Sequence, residues 1–113
     1  MIKSALSNAV RTSDAIDELA GVFKGVDPSL VVIFFSSRYP AGEVATLAKA
    51  AWPSARTIGC STSGEIVTGA MADGCMSAMV IDQTTAPRVE VAVVDDMSNL
   101  VTVNAACQSL GDF

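Results

Sequence analysis

The spacing of apolar residues near the N-terminus predicts one amphipathic helix preceded by a short strand. Residues 2–6 form the short strand. Asp14 is the expected N-cap of the helix, and further acids near it suit the positive end of the helix dipole. The i, i+3, i+4, i+7 spacing that follows is typical of a single buried stripe. The residues of this stripe are Ile16, Leu19, Ala20 and Phe23.

The middle of the chain predicts a strand, a helix and a second strand. Residues 30–35 are apolar without interruption, which is typical of a strand covered on both faces. Residues 56–59 form the second, shorter strand, and Pro53 ends the helix before it. The connection between these two strands is long enough for one helix. Two strands joined through one helix usually form a βαβ unit, so we expect the strands to be parallel and the crossover to be right-handed. The expected buried face of its helix is Val44, Leu47, Ala48 and Ala51.

The pattern changes in the second half, where two further strands are expected at residues 74–81 and 89–94. The turn-rich residues 82–87 between them predict an antiparallel hairpin. A closing helix follows, with Leu100, Val103, Cys107 and Leu110 on one face and Asp95, Asp96 or Ser98 as its cap. The prediction is thus a single α/β domain over residues 1–113. It consists of a single-layer mixed sheet in which a βαβ unit is followed by an antiparallel hairpin, with helices packed on the sheet.

The charge balance narrows the range of partners. Seven basic and twelve acidic residues give a net charge of -5, which disfavours both nucleic acid and an anionic membrane surface, since each is bound by clustered Lys and Arg. No apolar stretch approaches the roughly 20 residues of a membrane span, and the first residues lack the long apolar core of a signal peptide. We therefore predict a cytoplasmic protein.

The cysteines do not form a metal pattern. Cys60, Cys75 and Cys107 are widely spaced, and the chain has no histidine that could complete a zinc site. We expect Cys75 and Cys107 to be buried apolar thiols, and we expect no cofactor. Cys60 differs because small polar residues surround it.

Residues 57–66 are the most informative segment for function. Most of these residues are small and polar, which disfavours a place in the hydrophobic core. They suit a loop whose backbone amides and hydroxyl groups face a small ligand. Since ligand sites form at the carboxyl ends of parallel strands, we expect this loop to lie beside the loop that leaves the preceding strand. Arg38 would pair with a carboxylate, and Glu65 with an ammonium group. The predicted ligand-binding residues are Ser36, Ser37, Arg38, Cys60, Ser61, Thr62, Ser63, Gly64 and Glu65.

Other interpretations of the same residues stay open. Ser61 or Thr62 could cap backbone amides near Glu65, and Arg38 could be a solvated surface residue. Cys60 could be the nucleophile of an enzyme, although no histidine is present to activate it. The chain could also be an interaction fragment whose open sheet edge pairs with another chain. A helix N-terminus directly after Cys60 is disfavoured by Gly64 and Gly69.

Two segments together resemble a known family. The run from Leu30 to Ser37 followed by the segment from Ile58 to Ile66 is similar to the N-terminal FIST domain. The resemblance covers most of the chain, matches the first part of that domain, and implies an intracellular sensory domain of signal transduction. It implies a non-enzymatic protein that binds a small, amino-acid-like ligand. It also implies association with a C-terminal domain outside this sequence. The open sheet edge separately predicts that a second copy of the chain could add there and form a homo-oligomer.

Overall fold

The computed structural model describes residues 1–62, 65–67, 70–72, 74–94 and 97–111, with the backbone alone for 65–67 and 70–72. Strands and helices alternate over the first half of the chain, and three strands and one helix follow. The elements are β1 (Ile2–Ser7), α1 (Thr12–Val22), β2 (Pro28–Ser36), α2 (Ala41–Ala51), β3 (Arg56–Thr62), β4 (Glu65–Val67), β5 (Ala70–Ala72), β6 (Met76–Asp82) and α3 (Leu100–Ser109).

The main sheet has four strands in the order β1-β6-β2-β3. β2 and β3 are parallel and joined through α2, which confirms the predicted βαβ unit. β6 is antiparallel to both β1 and β2. Consequently β1, β2 and β3 all run in one direction, and their carboxyl ends meet at one end of the sheet. The predicted α/β class with a mixed sheet is confirmed.

Both α1 and α2 pack on the same face of this sheet. Val31, Ile33 and Phe35 point into a single buried core that these helices share with β6, and the two helices also pack against each other. The alternate residue Phe34 is 42 % exposed on the opposite face. We expected β2 to be covered on both faces, but among the described residues only the helical side is well covered. A continuous apolar run shows that both faces are apolar and carries no information about what covers each one.

The predicted helical stripes are confirmed, while the start of α1 differs from the prediction. Ile16 and Leu19 are buried in α1, and Val44 and Ala48 are buried in α2. Arg11 rather than Asp14 is the N-cap residue of α1, and it makes no side-chain capping bond; Asp14 lies in the first turn. The helix begins earlier because its first turn packs against the core. The free energy gained by that packing is larger than the modest free energy of a side-chain cap.

The antiparallel hairpin after the βαβ unit is formed by β4 and β5. The predicted pairing between residues 74–81 and residues 89–94 was wrong. β6 does form, but β1 and β2 occupy both of its edges, so no edge is left for the later segment. Residues 89–94 form no strand. The sequence pattern identified β6 as a strand without identifying its neighbours.

The predicted helix near the C-terminus is present as α3, but its cap differs from the prediction. Its N-cap is Asn99, whose side-chain oxygen accepts hydrogen bonds from the amides of Val101 and Thr102. Asp95 and Asp96 lie outside the described residues. None of the α3 residues is buried, and Leu100 is 73 % exposed.

Asp82 links the end of β6 to the beginning of the chain. Its Oδ1 accepts hydrogen bonds from the N-terminal ammonium at 2.8 Å, the Thr85 amide at 2.9 Å and the Thr84 hydroxyl at 3.0 Å. The ammonium, and after it the hydroxyl and amide of Thr85, hold the pKa of Asp82 well below its ordinary value.

Asp82→Asn is expected to lower stability at neutral pH by an amount that shrinks on acidification. Because the pKa is lower in the folded chain than in the unfolded chain, the stabilisation is complete above the ordinary Asp pKa of about 3.9. It is lost as the pH falls below that value towards the folded-state pKa. Urea denaturation of both proteins at pH 7, 4 and 3 measures the difference. A constant difference at all three pH values would contradict the assignment.

Candidate functional site

The carboxyl ends of β2 and β3 lie side by side, as predicted for the candidate site. Ser36 pairs with Thr62 at the last position of the parallel ladder. The turn after β2 is held by two backbone bonds: the Ser36 amide donates to the Cys75 carbonyl at 2.9 Å, and the Tyr39 amide donates to the Ser36 carbonyl at 3.0 Å. The Ser36 hydroxyl accepts from the Arg38 amide at 3.4 Å. This turn leaves Ser37 and Arg38 exposed.

Arg38 is anchored at one side of its guanidinium group. Nη2 donates to the carbonyls of Asn8 and Ala9 at 3.3 and 3.1 Å and to the Tyr39 hydroxyl at 3.2 Å. Its Cζ lies 5.1 Å from the centroid of the Tyr39 ring. Within the described part of the chain, Nε and Nη1 make no hydrogen bond. Arg38 therefore connects the turns after β1 and β2, and its other N–H groups remain available.

Residues of the turn after β1 contribute to the same end of the sheet, and sequence reasoning missed them. Tyr39 is buried and donates its hydroxyl proton to the Ala9 carbonyl at 2.5 Å. The buried Ser7 hydroxyl donates to Glu18 at 2.5 Å and accepts from the Ala9 amide at 3.2 Å. If β1 had been known to run parallel to β2 and β3, its carboxyl end could have been placed beside theirs. The sequence does not give that direction, because it follows from β6 lying between β1 and β2 and pairing antiparallel with both.

Cys60, Ser61 and Thr62 belong to β3 itself, so the prediction that they form a loop was wrong. Pairing with β2 continues to Ser36, and these backbone hydrogen bonds extend the strand beyond Gly59. Side chains alternate along a strand. Cys60 and Thr62 therefore point away from the helices, and Ser61 points to the helical side.

The remaining predicted site residues are described only in part or not at all. Ser63 and Gly64 lie outside the described residues. Glu65 begins β4, and only its backbone is described. The next described element after Cys60 is thus a strand, as the glycines of this segment indicated. The predicted cap of Ser61 or Thr62 near Glu65 involves a segment that lies partly outside the described residues.

The cysteines differ in exposure. Cys75 is buried, as predicted, next to the turn after β2. Cys107 is exposed on α3, so the prediction that it is buried was wrong. The reason is that α3 has no buried face in the described structure. Cys60 is exposed as well.

Neither a metal cluster nor a membrane span is found in the described part of the chain. No group of three or more His, Cys, Asp or Glu residues there could hold a metal ion. Among the helices that the structure describes, none is long and apolar enough to cross a bilayer.

Comparison with known proteins identifies one family. The model of the FIST N domain matches residues 29–112, which is most of the chain and includes β3 and all of β2 except its first residue. No curated protein and no solved structure matches this chain significantly. The chain therefore belongs to the FIST N domain family, a family of sensory domains in signal transduction.

Proposed function

We propose that this chain is a non-enzymatic, cytoplasmic sensory domain that binds an amino-acid-like ligand at the carboxyl ends of β2 and β3. The observation that carries the proposal is the pairing of Ser36 with Thr62. It places Ser36 beside Thr62 at the carboxyl ends of the two parallel strands, where such sheets bind ligands. The turn that begins at Ser36 carries Ser37 and Arg38.

The side chains at this edge suit a small zwitterion. The Nε and Nη1 groups of Arg38 can donate to a carboxylate, and the guanidinium is already oriented by its Nη2 bonds, which lowers the entropy lost on binding. The hydroxyls of Ser36, Ser37 and Thr62 supply further polar contacts. In this proposal Glu65 pairs with the ammonium group of the ligand, and Ser63 and Gly64 complete the lining of the binding site.

A catalytic role for Cys60 has less support. The chain has no histidine, and the next described element after Cys60 is β4 rather than a helix. The two usual means of stabilising a thiolate, a neighbouring imidazolium and a helix N-terminus, are thus not offered by these elements. Alkylation of Cys60 by iodoacetamide is expected to be no faster than that of glutathione across pH 6 to 9. A Cys60 that reacts many times faster at pH 6 would favour the enzyme.

Ligand binding is tested first by thermal shift with the twenty amino acids and then by calorimetry. We expect at least one amino acid to raise the melting temperature. At saturation it should slow the alkylation of Cys60 at least fivefold, because Cys60 lies at the proposed site. Peptide mass spectrometry measures the rate at each cysteine separately.

Cys107 is the internal control for this experiment, since it is exposed on α3 and should react at an unchanged rate. Cys75 is buried and should react only on unfolding. A well-folded sample that no amino acid stabilises, or a bound amino acid that leaves the Cys60 rate unchanged, would contradict the proposal.

The edges of the sheet suggest how the domain associates. β3 and β1 are the outer strands of the described sheet, and each pairs on one side only within it. An exposed edge is a template for strand addition. We include in the proposal that a further domain or a second copy adds at one of these edges. Light scattering after size exclusion tests the second copy, and a strict monomer at 100 μM would exclude it.

A further inference from the structure

A groove of about 590 Å³ runs between α2 and the outer strand β3, on the helical side of the sheet. No large side chain of β3 enters the groove, because side-chain alternation puts Thr57 and Gly59 on this side. From α2 the groove is lined in part by Ala45 and Ala48. Val91 lines it too, although it belongs to neither element. A segment that follows β6 in the chain therefore lies at the outer edge of β3.

Residues 89–94, which we call the strap, have the composition of a strand but do not pair as one. Four of the six are valine, which is enriched in strands. Within the described part of the chain, their backbone groups make no hydrogen bond. Val91 is 42 % exposed and Val93 is 78 % exposed. In the described sheet β3 pairs with β2 alone, so two rows of unpaired backbone groups lie close together.

The chain approaches the strap from the amino end of β2. The Gln83 amide donates to the Asp27 carbonyl at 3.0 Å, and Gln83 Nε2 donates to the Pro28 carbonyl at 3.2 Å. Residues 83–88 can span about 20 Å when extended. That exceeds the roughly 10 Å that separate β2 from the position of a strand beyond β3. Because the strap starts at the amino end of the parallel strands, a strap that follows β3 runs parallel to it.

From this placement we infer that the strap closes on β3 as a fifth strand of the sheet, parallel to β3. Alternation then directs the side chains of Val91 and Val93 to the same side, where they fill the groove against α2. Closure gives the backbone groups of both segments their hydrogen-bond partners. It also removes two apolar side chains from water and covers a sheet edge that would otherwise be open to other chains.

Closure of the strap decides which edge of the sheet can accept a partner. A closed strap occupies the edge of β3 and leaves β1 as the free edge, so it acts as an autoinhibitory contact at β3. This consequence rests on the strand addition included in the proposed function, whereas closure itself does not. A strict monomer in light scattering would exclude a second copy, and absence of amino-acid binding would exclude the ligand. Neither result bears on closure.

Amide hydrogen exchange of the folded protein, followed by NMR, is the first part of the test. In a strand at the edge of a sheet, only every second amide points to the neighbouring strand. Either residues 89, 91 and 93 or residues 90, 92 and 94 should therefore exchange at least about 100-fold more slowly than the other three. Uniform exchange of the six amides, whether fast or slow, would overturn the inference.

A matched pair of variants tests whether the strap enters the groove. Val101 on α3 is 79 % exposed in the structure, nearly the same as Val93. If the strap closes, Val93→Ser should lower the melting temperature by roughly 5 °C and remove the alternating protection. Val101→Ser should lower the melting temperature by less than about 2 °C and leave the protection unchanged. Equal melting temperatures of the two variants would show that Val93 does not pack in the groove, and they would overturn the inference.

Discussion

Gly59→Ala is expected to destabilise the protein by about 3 kcal/mol, at the upper end of the cost of forcing an atom into a packed site. A Cβ built at Gly59 would lie 2.4 Å from the Ile33 carbonyl oxygen, which is backbone of the paired strand and cannot rotate away. The conflict can be relieved only if β3 moves from β2. We expect a melting temperature lower by roughly 10 °C and weaker amino-acid binding, because the same pairing aligns Ser36 with Thr62.

Gly42→Ala is the matched control for this prediction. Gly42 lies in the first turn of α2, and a Cβ there would meet no atom within 4 Å. Because alanine favours helix more than glycine does, this variant should be neutral or more stable by up to about 1 kcal/mol. Equal stability of Gly59→Ala and the wild type would show that β2 and β3 are not in this register.

Trp52→Ala is expected to destabilise the protein by about 3 to 5 kcal/mol, the usual cost of deleting a large aromatic side chain from a core. Trp52 follows the last turn of α2, where its amide donates to the Ala48 carbonyl at 2.9 Å. Its ring lies 6.3 Å from that of Phe23, at an interplanar angle of 53°. Phe23 occupies the corresponding position at the end of α1. The two aromatic side chains therefore hold the ends of both helices together.

The measurement is guanidinium denaturation followed by circular dichroism, because Trp52 is the only tryptophan and the variant lacks its fluorescence. Phe23→Leu and the double variant complete a mutant cycle, for which we expect a coupling of about 0.5 to 1.5 kcal/mol. Val101→Ala removes an exposed side chain from α3 and should change stability by less than about 0.5 kcal/mol. A small effect of Trp52→Ala would mean that α2 does not end against α1.

The helices and the central strands were predictable because their signals are local. The spacing of Ile16 and Leu19 identifies α1 and its buried face without reference to any other element. The strand–helix–strand succession before Cys60 likewise implies parallel β2 and β3. Side-chain periodicity depends on the geometry of a single element, and that geometry is the same in every fold.

The course of the chain after β3 was not predictable in this way. Residues 89–94 alternate as a strand does and yet form no strand, because β6 lies between β1 and β2. Pairing with β2 in turn extends β3 through Cys60 to Thr62. Whether the edge of a strand is free or paired depends on contacts between segments that are distant in sequence. The local sequence pattern therefore cannot predict it.

The candidate site, like the fold, was predictable from the sequence only in part. The sequence alone identified the polar residues at the ends of β2 and β3 and the FIST N resemblance, which the family match confirms. Tertiary structure alone placed Ala9 and Tyr39 around Arg38. The physical reason is that residue chemistry and periodicity are properties of neighbours in the chain, whereas hydrogen-bond partners and grooves arise only where separate elements pack.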